Sequence, residues 1–242
     1  MAIKSKLLMN LKITEIEHYT DSLFRIRTER PQSFRFTAGE FVMISLTDTP
    51  KRAYSITSGP YDDYIEFYSI KVPNGPLTSK LQHVKVGDEL DVGTKPTGTL
   101  TLANLELGGN LWLLATGTGI APFISLLRDP ETYDSFDQIS VYWSVRTAQE
   151  LLAYDDFLKK SDIKYVPTVT QDPTWTGRKT RITHTIRHGE IASNLEPSDH
   201  KIMICGNLEF NQEVATIFDG WGFNEGSSKQ AGTFVQERAF VG

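Results

Sequence analysis

Leu111-Trp112-Leu113-Leu114-Ala115-Thr116-Gly117-Thr118-Gly119-Ile120-Ala121-Pro122 is the stretch whose reading decides the fold. Its first six residues form a nearly continuous apolar run, as expected of a parallel strand covered on both faces. A glycine-rich turn follows. A helix then opens near Pro122, because proline is tolerated in a first turn, where its missing N–H has no partner to lose. Downstream the same grammar repeats. Residues 139–145 read as a strand, 148–160 as a helix, 163–170 and 201–205 as strands, and 208–221 as a helix. In that last helix Phe210, Val214, Ile217, Phe218 and Trp221 recur at helical spacing and predict a core face. Residues 233–237 close as a strand. Strand–helix alternation of this kind predicts a doubly wound α/β domain with a parallel sheet over residues 111–242.

Upstream of a junction at residues 104–110, which holds Gly108-Gly109, the grammar differs. Phe34 and Phe36 alternate with polar neighbours. Phe41-Val42-Met43-Ile44-Ser45-Leu46, Tyr64-Ile65-Glu66-Phe67-Tyr68-Ser69-Ile70 and Glu89-Leu90-Asp91-Val92 read as strands. Turn signals such as Ser58-Gly59-Pro60 and Pro73-Asn74-Gly75-Pro76 separate them. Short strands closely spaced by turns predict a closed antiparallel β-barrel over residues 1–103.

Composition narrows the class. The chain has 242 residues, 39% hydrophobic and 23% charged, as in a soluble globular protein. No run approaches the ~18 apolar residues of a membrane span. Lys4 and Lys6 precede only Leu7-Leu8-Met9, too short for a signal-peptide core, so a cytoplasmic protein is expected. Cys205 is the one cysteine, which leaves no internal disulfide and no cysteine-ligated iron–sulfur cluster. No metal site is expected. The net charge of −5 is uneven, with the first 52 residues at +3. That asymmetry fits either scattered surface charge or a face that guides an acidic partner. No basic cluster is dense enough for nucleic acid.

Four constellations carry chemistry. In Arg52-Ala53-Tyr54-Ser55 an arginine fork suits a phosphate, and Tyr54, two residues on, lies on the same side of a strand and can cover a flat heterocycle. In Gly75-Pro76-Leu77-Thr78-Ser79, Thr78 and Ser79 are placed to cap a helix over residues 80–84, whose first N–H groups would attract a phosphate. Ala115-Thr116-Gly117-Thr118-Gly119-Ile120-Ala121-Pro122 lies at the carboxyl edge of a strand, where doubly wound sheets bind nucleotides, yet it is neither Gly-x-Gly-x-x-Gly nor a P-loop. In Cys205-Gly206-Asn207 the glycine permits close approach of a ligand to a strand end. Each fits an ordinary strand end or turn as well when taken alone.

Together and in this order they resemble the ferredoxin–NADP reductase family, most closely its bacterial ferredoxin/flavodoxin reductase branch, from about residue 10 to residue 242. Phe67-Tyr68-Ser69-Ile70 resembles the family's second flavin strand, and Val235-Gln236-Glu237-Arg238-Ala239-Phe240-Val241-Gly242 its bacterial ending. The resemblance implies a two-domain oxidoreductase that binds FAD and NADP(H) and passes electrons to or from ferredoxin or flavodoxin, through transient electrostatic contact, as a monomer. It implies that Arg52 and Thr78 hold the FAD pyrophosphate, that Tyr54 covers the flavin, and that Ser55 bonds near its N5. Ala53, Tyr68, Ser69, Ile70, Gly75, Leu77, Ser79 and Thr118 complete the flavin set. Phe240 is implied to meet the adenine, and Ala239 stands where plastid members place a terminal tyrosine. Thr116, Gly117, Ser144, Val145, Arg146, Arg178, Arg181, Cys205 and Gly206 are implied for NADP, with Arg178 and Arg181 alternatives for one arginine of the 2′-phosphate pocket. Gln171 replaces a further arginine of many bacterial relatives. Ser55, Cys205 and Glu237 are implied to serve hydride transfer. The hard chemistry belongs to the flavin, so the five histidines have no catalytic role in this reading. An NADH-dependent reductase of the same superfamily and a non-enzymatic redox or nucleotide sensor are the competing readings.

Overall fold

The computed structural model describes residues 8–189, 191 and 195–238. The N-terminal part contains β1 (Leu8–His18), β2 (Leu23–Glu29), β3 (Phe41–Ser45), β4 (Arg52–Ser55), β5 (Tyr64–Ile70), the short helix α1 (Thr78–Leu81) and β6 (Glu89–Gly93). The strands form one antiparallel sheet in the order β4-β3-β6-β1-β2-β5. Alternation builds its core. Phe24, Ile26 and Thr28 of β2 point inward, while Arg25 and Arg27 take the other face. The inward set meets Ile13, Val42, Ile44, Ile65, Phe67 and Val92. The sheet curls into a barrel that is nearly closed rather than closed. Its end strands β4 and β5 share no ladder. Across the seam the hydroxyls of Tyr54 and Ser69 bond at 3.0 Å, Thr57 N donates to Glu66 O (2.8 Å) and Glu66 N donates to Ser58 Oγ (3.1 Å).

The C-terminal part runs β7 (Asn110–Thr116), α2 (Ala121–Leu127), α3 (Pro130–Asp134), β8 (Gln138–Val145), α4 (Asp155–Lys160), β9 (Lys164–Val169), α5 (Ile182–Arg187), β10 (His200–Gly206), α6 (Leu208–Gly220) and β11 (Phe234–Arg238). Its five strands are parallel in the order β11-β10-β7-β8-β9. β7 is central. Its Leu113 and Ala115 face Phe123 and Ile124 of α2, while Trp112 and Leu114 face Phe210 and Phe218 of α6. Burial on both faces is why the run lacks alternation.

Several local expectations fail for physical reasons. Phe34 and Phe36 lie in a loop rather than a strand. Their rings pack at 5.9 Å, and Arg30 holds the loop by donating to the carbonyls of Phe34, Pro60 and Asp62. The single helix over 148–160 is a 3-10 turn at Ala148–Leu151 followed by α4. The break turns Tyr154 into the core. α1 starts at Thr78 and has Leu77 as its N-cap, with no side-chain cap. The Thr78 hydroxyl donates instead to Val72 O (3.2 Å). Trp221 lies just past α6, 39% exposed, with its edge against Phe218.

The two parts meet across a dense polar seam. Glu66 of β5, 0% exposed, accepts from Arg27 Nε at 2.7 Å and meets two groups of the C-terminal part: it forms an ion pair with Arg128 Nη1 at 3.2 Å and accepts from the Tyr154 hydroxyl at 3.1 Å. The Ser125 hydroxyl donates to Ser58 O (2.7 Å). Gly59 leaves the room this contact needs, since a Cβ there would sit 2.7 Å from Arg128 Cβ. The junction is pinned as well: Gly232 N donates to Asn104 O (3.1 Å) and Glu106 N to Gly232 O (2.8 Å).

Leu113, buried at the centre of β7, tests the packing directly. Leu113→Ala is expected to lower the unfolding free energy by about 2–5 kcal/mol through lost burial and the residual cavity. Denaturant titration checks it; a loss below about 1 kcal/mol would mean that the site collapses without a cavity.

Candidate functional site

Edge geometry assembles the site. Glu237 of β11 is the cross-strand neighbour of Cys205 of β10, which neighbours Ala115 of β7, which neighbours Trp143 of β8. One residue further along, Thr116 neighbours Ser144, and Ser144 neighbours Thr168. Thr168 bridges to Arg178. Most residues of the nucleotide set thus lie side by side at the carboxyl edge of the sheet, at successive spacings of about 4.8 Å.

The glycine turn is held onto this edge from both sides. Gly117 takes φ +53°, and its carbonyl accepts from Trp143 Nε1 at 2.8 Å. Gly119 presses on β10 so closely that a Cβ would lie 2.1 Å from Cys205 O. The turn is a 3-10 segment leading straight into α2. Gly206 is tightly packed as well. A Cβ there would meet Thr116 Oγ1 at 2.3 Å and Phe210 Cδ1 at 2.5 Å, so its smallness serves internal packing.

The barrel reaches the same place through Thr99. Its backbone N–H donates to Glu237 Oε2 (2.9 Å), and its hydroxyl donates to Gln236 O (2.8 Å). Thr97, two residues before, bridges to Phe41, which is the ladder partner of Ser55. A path through Phe41, Thr97 and Thr99 therefore leads from Ser55 to the Glu237 carboxyl. The half-buried Ser55 hydroxyl makes no hydrogen bond among the described residues. Burial raises the Glu237 carboxyl to about 7, against the two Thr99 bonds that lower it and with the charge of Glu40 adding to the rise. Its other oxygen, Oε1, is buried and has no hydrogen-bond partner among the described residues. Burial, with Glu237 adding, also pushes the Cys205 thiol well above its ordinary range, so Cys205 is a neutral thiol rather than a thiolate nucleophile.

The remaining residues separate into two groups. Ala53 and Tyr54 are buried on β4, with the Tyr54 ring set edge-on against Phe67 at 6.2 Å. Ser69 Oγ bonds Tyr54, Ile70 is half-buried, and Gly75, Leu77 and Thr78 are buried around the start of α1 beside Ser79. Tyr68 turns away from this set. It packs edge-on against Tyr154 at 5.2 Å, and its hydroxyl donates to Glu150 O. Val145 is buried, which leaves its backbone as the part available to a ligand. Ala239 and Phe240 lie outside the described residues.

Cations mark where anions fit. Among the described residues Arg52 donates only to the neighbouring Lys51 O (3.1 Å), and neither Arg146 nor Arg181 has a carboxylate partner. Arg146 and Arg181 are exposed beside the nucleotide edge. Guanidinium groups kept from carboxylates at a barrel edge and a sheet edge suit the phosphates of a flavin dinucleotide and of a nicotinamide dinucleotide respectively. A buried carboxyl oxygen without a partner between them suits a ligand polar group. Sequence reading missed Thr99, Trp143 and the Glu66–Arg128–Tyr154 contact. For Glu66 the available signal was a carboxylate inside an aromatic, β-branched strand, since such a charge persists only when paired.

Comparison with known proteins adds three findings. A family profile described as an FAD-binding domain matches residues 8–104, and one described as an oxidoreductase NAD-binding domain matches residues 113–216. The chain is 43% identical to a flavodoxin/ferredoxin–NADP reductase of Rhodobacter capsulatus, over 95% of this chain and 92% of that one. It is 41% identical to ferredoxin–NADP reductase A of Sorangium cellulosum, over 95% and 89%. Its fold is similar to the crystal structure of a ferredoxin NADP+ reductase from Neisseria gonorrhoeae with bound FAD and NADP, at a TM-score of 0.90 and 28% identity, covering 98% of this chain and all of that one.

Glu237 makes stability depend on pH. Its folded-state value of about 7 exceeds its ordinary 4.5, so the folded chain binds this proton more tightly than the unfolded chain. Its contribution is full below 4.5 and is lost as pH rises through about 7. In protein stripped of flavin, the stability difference between wild type and Glu237→Gln should shift against the wild type across that window. Parallel denaturation profiles at pH 5 to 8 would contradict the burial argument.

Proposed function

The chain belongs to the bacterial ferredoxin/flavodoxin–NADP reductase family, and on that premise we propose that it exchanges electrons between NADP(H) and a ferredoxin or flavodoxin through FAD. The observation that carries the reading is the junction of Cys205 and Glu237 with Thr99, where the carboxyl edge of a nucleotide-type sheet meets the open end of the barrel. Bound FAD supplies the chemistry, taking electrons as a pair from the nicotinamide and releasing them singly.

The side chains supply binding, orientation and water exclusion. Arg52 and the start of α1 around Thr78 hold the flavin's phosphates, with Gly75, Leu77 and Ser79 shaping that turn. Tyr54, backed by Phe67 and fixed by Ser69, presents a rigid ring surface to the flavin. Ala53 leaves space beside it. Tyr68 and Ile70 contribute backbone, since the Tyr68 ring is committed to Tyr154. Ser55 offers its free hydroxyl near the reacting edge. Thr116, Gly117, Thr118 and Gly206 seat the nicotinamide end of NADP(H), with Cys205 as a neutral, apolar neighbour and Glu237 as a carboxyl able to hold or release a proton near neutral pH. Ser144, Val145 and Arg146, with Arg178 or Arg181, take the 2′-phosphate end. The barrel domain is assigned residues 1–103 and the nucleotide domain 111–242, joined by 104–110. The chain acts as a cytoplasmic monomer that meets its carrier protein transiently, aided by the +3 charge of its first 52 residues. Among the described residues no helix is long and apolar enough to cross a membrane.

Anaerobic titration of the purified protein with NADPH tests the reading. The visible flavin absorbance should bleach at one equivalent, and heat should release FAD. A colourless protein that cannot be reconstituted would overturn it. Recognition of the 2′-phosphate is tested separately. Each charged hydrogen bond from Arg146 contributes about 1.5–3 kcal/mol, so Arg146→Ala should raise the KM for NADPH roughly tenfold to a hundredfold and leave NADH use nearly unchanged. An equal loss with both nucleotides would assign Arg146 a structural role and favour an NADH-dependent reductase.

A further inference from the structure

Glu66 divides its two oxygens between the two domains. Oε2 faces the barrel, where it takes Arg27 Nε at 2.7 Å and lies 3.6 Å from Arg25 Nη1. Oε1 faces the C-terminal domain, where it takes Arg128 Nη1 at 3.2 Å and the Tyr154 hydroxyl at 3.1 Å. Arg128 directly follows α2, and α2 directly follows the glycine turn of residues 117–120. Seven helical residues span about 10 Å, so the turn stands about one short strut away from the carboxylate. Tyr154 ends the connection that leaves β8 at Ser144-Val145-Arg146. Two residues beyond Glu66 on its own strand begins Tyr68-Ser69-Ile70. One carboxylate thus ties together the strand assigned to the flavin and the two loops assigned to the nucleotide.

The tie is rigid. Ser125 Oγ bonds Ser58 O one turn earlier on the same helix, and Arg128 Nη1 also reaches Thr57 O (3.3 Å) and the Tyr64 hydroxyl (3.4 Å). Asp62 Oδ2 lies 3.4 Å from the same nitrogen. Tyr154 is fully buried, and burial together with the Glu66 carboxylate keeps its hydroxyl protonated and therefore a donor.

We propose that Glu66 is a positioning residue for hydride transfer, fixing the glycine turn and the 144–146 loop relative to the flavin strand by holding Arg128 and Tyr154. The inference rests on the reductase function proposed above. Displacements of about 1 Å in reacting groups cost up to a hundredfold in rate. A neutral side chain of the same shape should therefore slow the transfer step while leaving nucleotide contacts in place.

Stopped-flow reduction by NADPH tests this on the full-length, FAD-loaded protein. Glu66→Gln should keep its FAD content and its apparent affinity for NADPH. Its limiting rate of flavin bleaching should fall roughly tenfold to a hundredfold, and the long-wavelength absorbance that reports contact between the two rings on NADP+ addition should weaken. Tyr154→Phe, which removes one Oε1 donor and keeps the ion pairs, should show a smaller fall in the same rate. A fully loaded Glu66→Gln protein reduced at the wild-type rate would overturn the proposal. If that variant does not retain FAD, a wild-type rate in Tyr154→Phe would overturn it instead. Wild-type protein that NADPH does not reduce would overturn the functional reading and not the positioning role.

Discussion

A carboxylate removed from water persists in a fold only when its charge is met by donors at close range, because the desolvation of an unpaired ion costs more than folding yields. Glu66 is under that constraint, and no single domain of this protein satisfies it. Arg27 comes from the barrel, while Arg128 and Tyr154 come from the parallel-sheet domain. Arg25 and Arg27 in turn share Glu15, and Arg25 also reaches Glu17, so the network runs from a dry centre out to the exposed face of β1. Breaking such a buried pair by removing one partner typically costs about 3–5 kcal/mol, a large share of the stability of an ordinary domain. The orientation of the two domains is therefore part of the fold and not a loose arrangement of two independent units.

That orientation is what makes the site. The barrel contributes a strand end and an open seam, and the sheet contributes its carboxyl edge. Neither carries a complete binding surface. Thr99 and Glu237 join the barrel to the sheet at a second place, so two polar contacts tie the domains together. Burial at this junction sets the chemical character of its residues. Cys205 is kept a neutral thiol, and Glu237 is held near its titration point by burial working against two hydrogen bonds. A flavin enzyme needs this kind of environment, dry and polar at chosen atoms, because the cofactor brings the electron chemistry and the protein brings placement.

Much of this was legible in the sequence, for reasons specific to each element. Burial on both faces left β7 as an unbroken apolar run, and aromatic and β-branched residues marked β5, so the two-domain plan followed from local pattern. The glycine turn was legible because a tight turn after a buried strand has few alternative readings. Contacts made across the chain were not. Glu66 and Arg128 stand in different domains, and no periodicity links them. Where such contacts dominate, local reading erred: the helix at 148–160 breaks so that Tyr154 can reach Glu66, and Phe34 and Phe36 form a loop because Arg30 satisfies its carbonyls. Thr78 was read as a cap, but its hydroxyl is used by Val72. The barrel reads as closed from strand spacing alone, whereas the four-residue β4 leaves a seam.

The central claim is that the two domains convert paired electrons on a nicotinamide into single electrons on a carrier protein. The most direct measurement is anaerobic NADPH oxidation by the purified protein in the presence of purified ferredoxin or flavodoxin, with both reactants followed by absorbance. The account predicts two carrier molecules each reduced by one electron for every NADPH consumed, at a rate that saturates with carrier concentration. NADPH consumed without carrier reduction, or carrier reduced equally well by NADH, would contradict it.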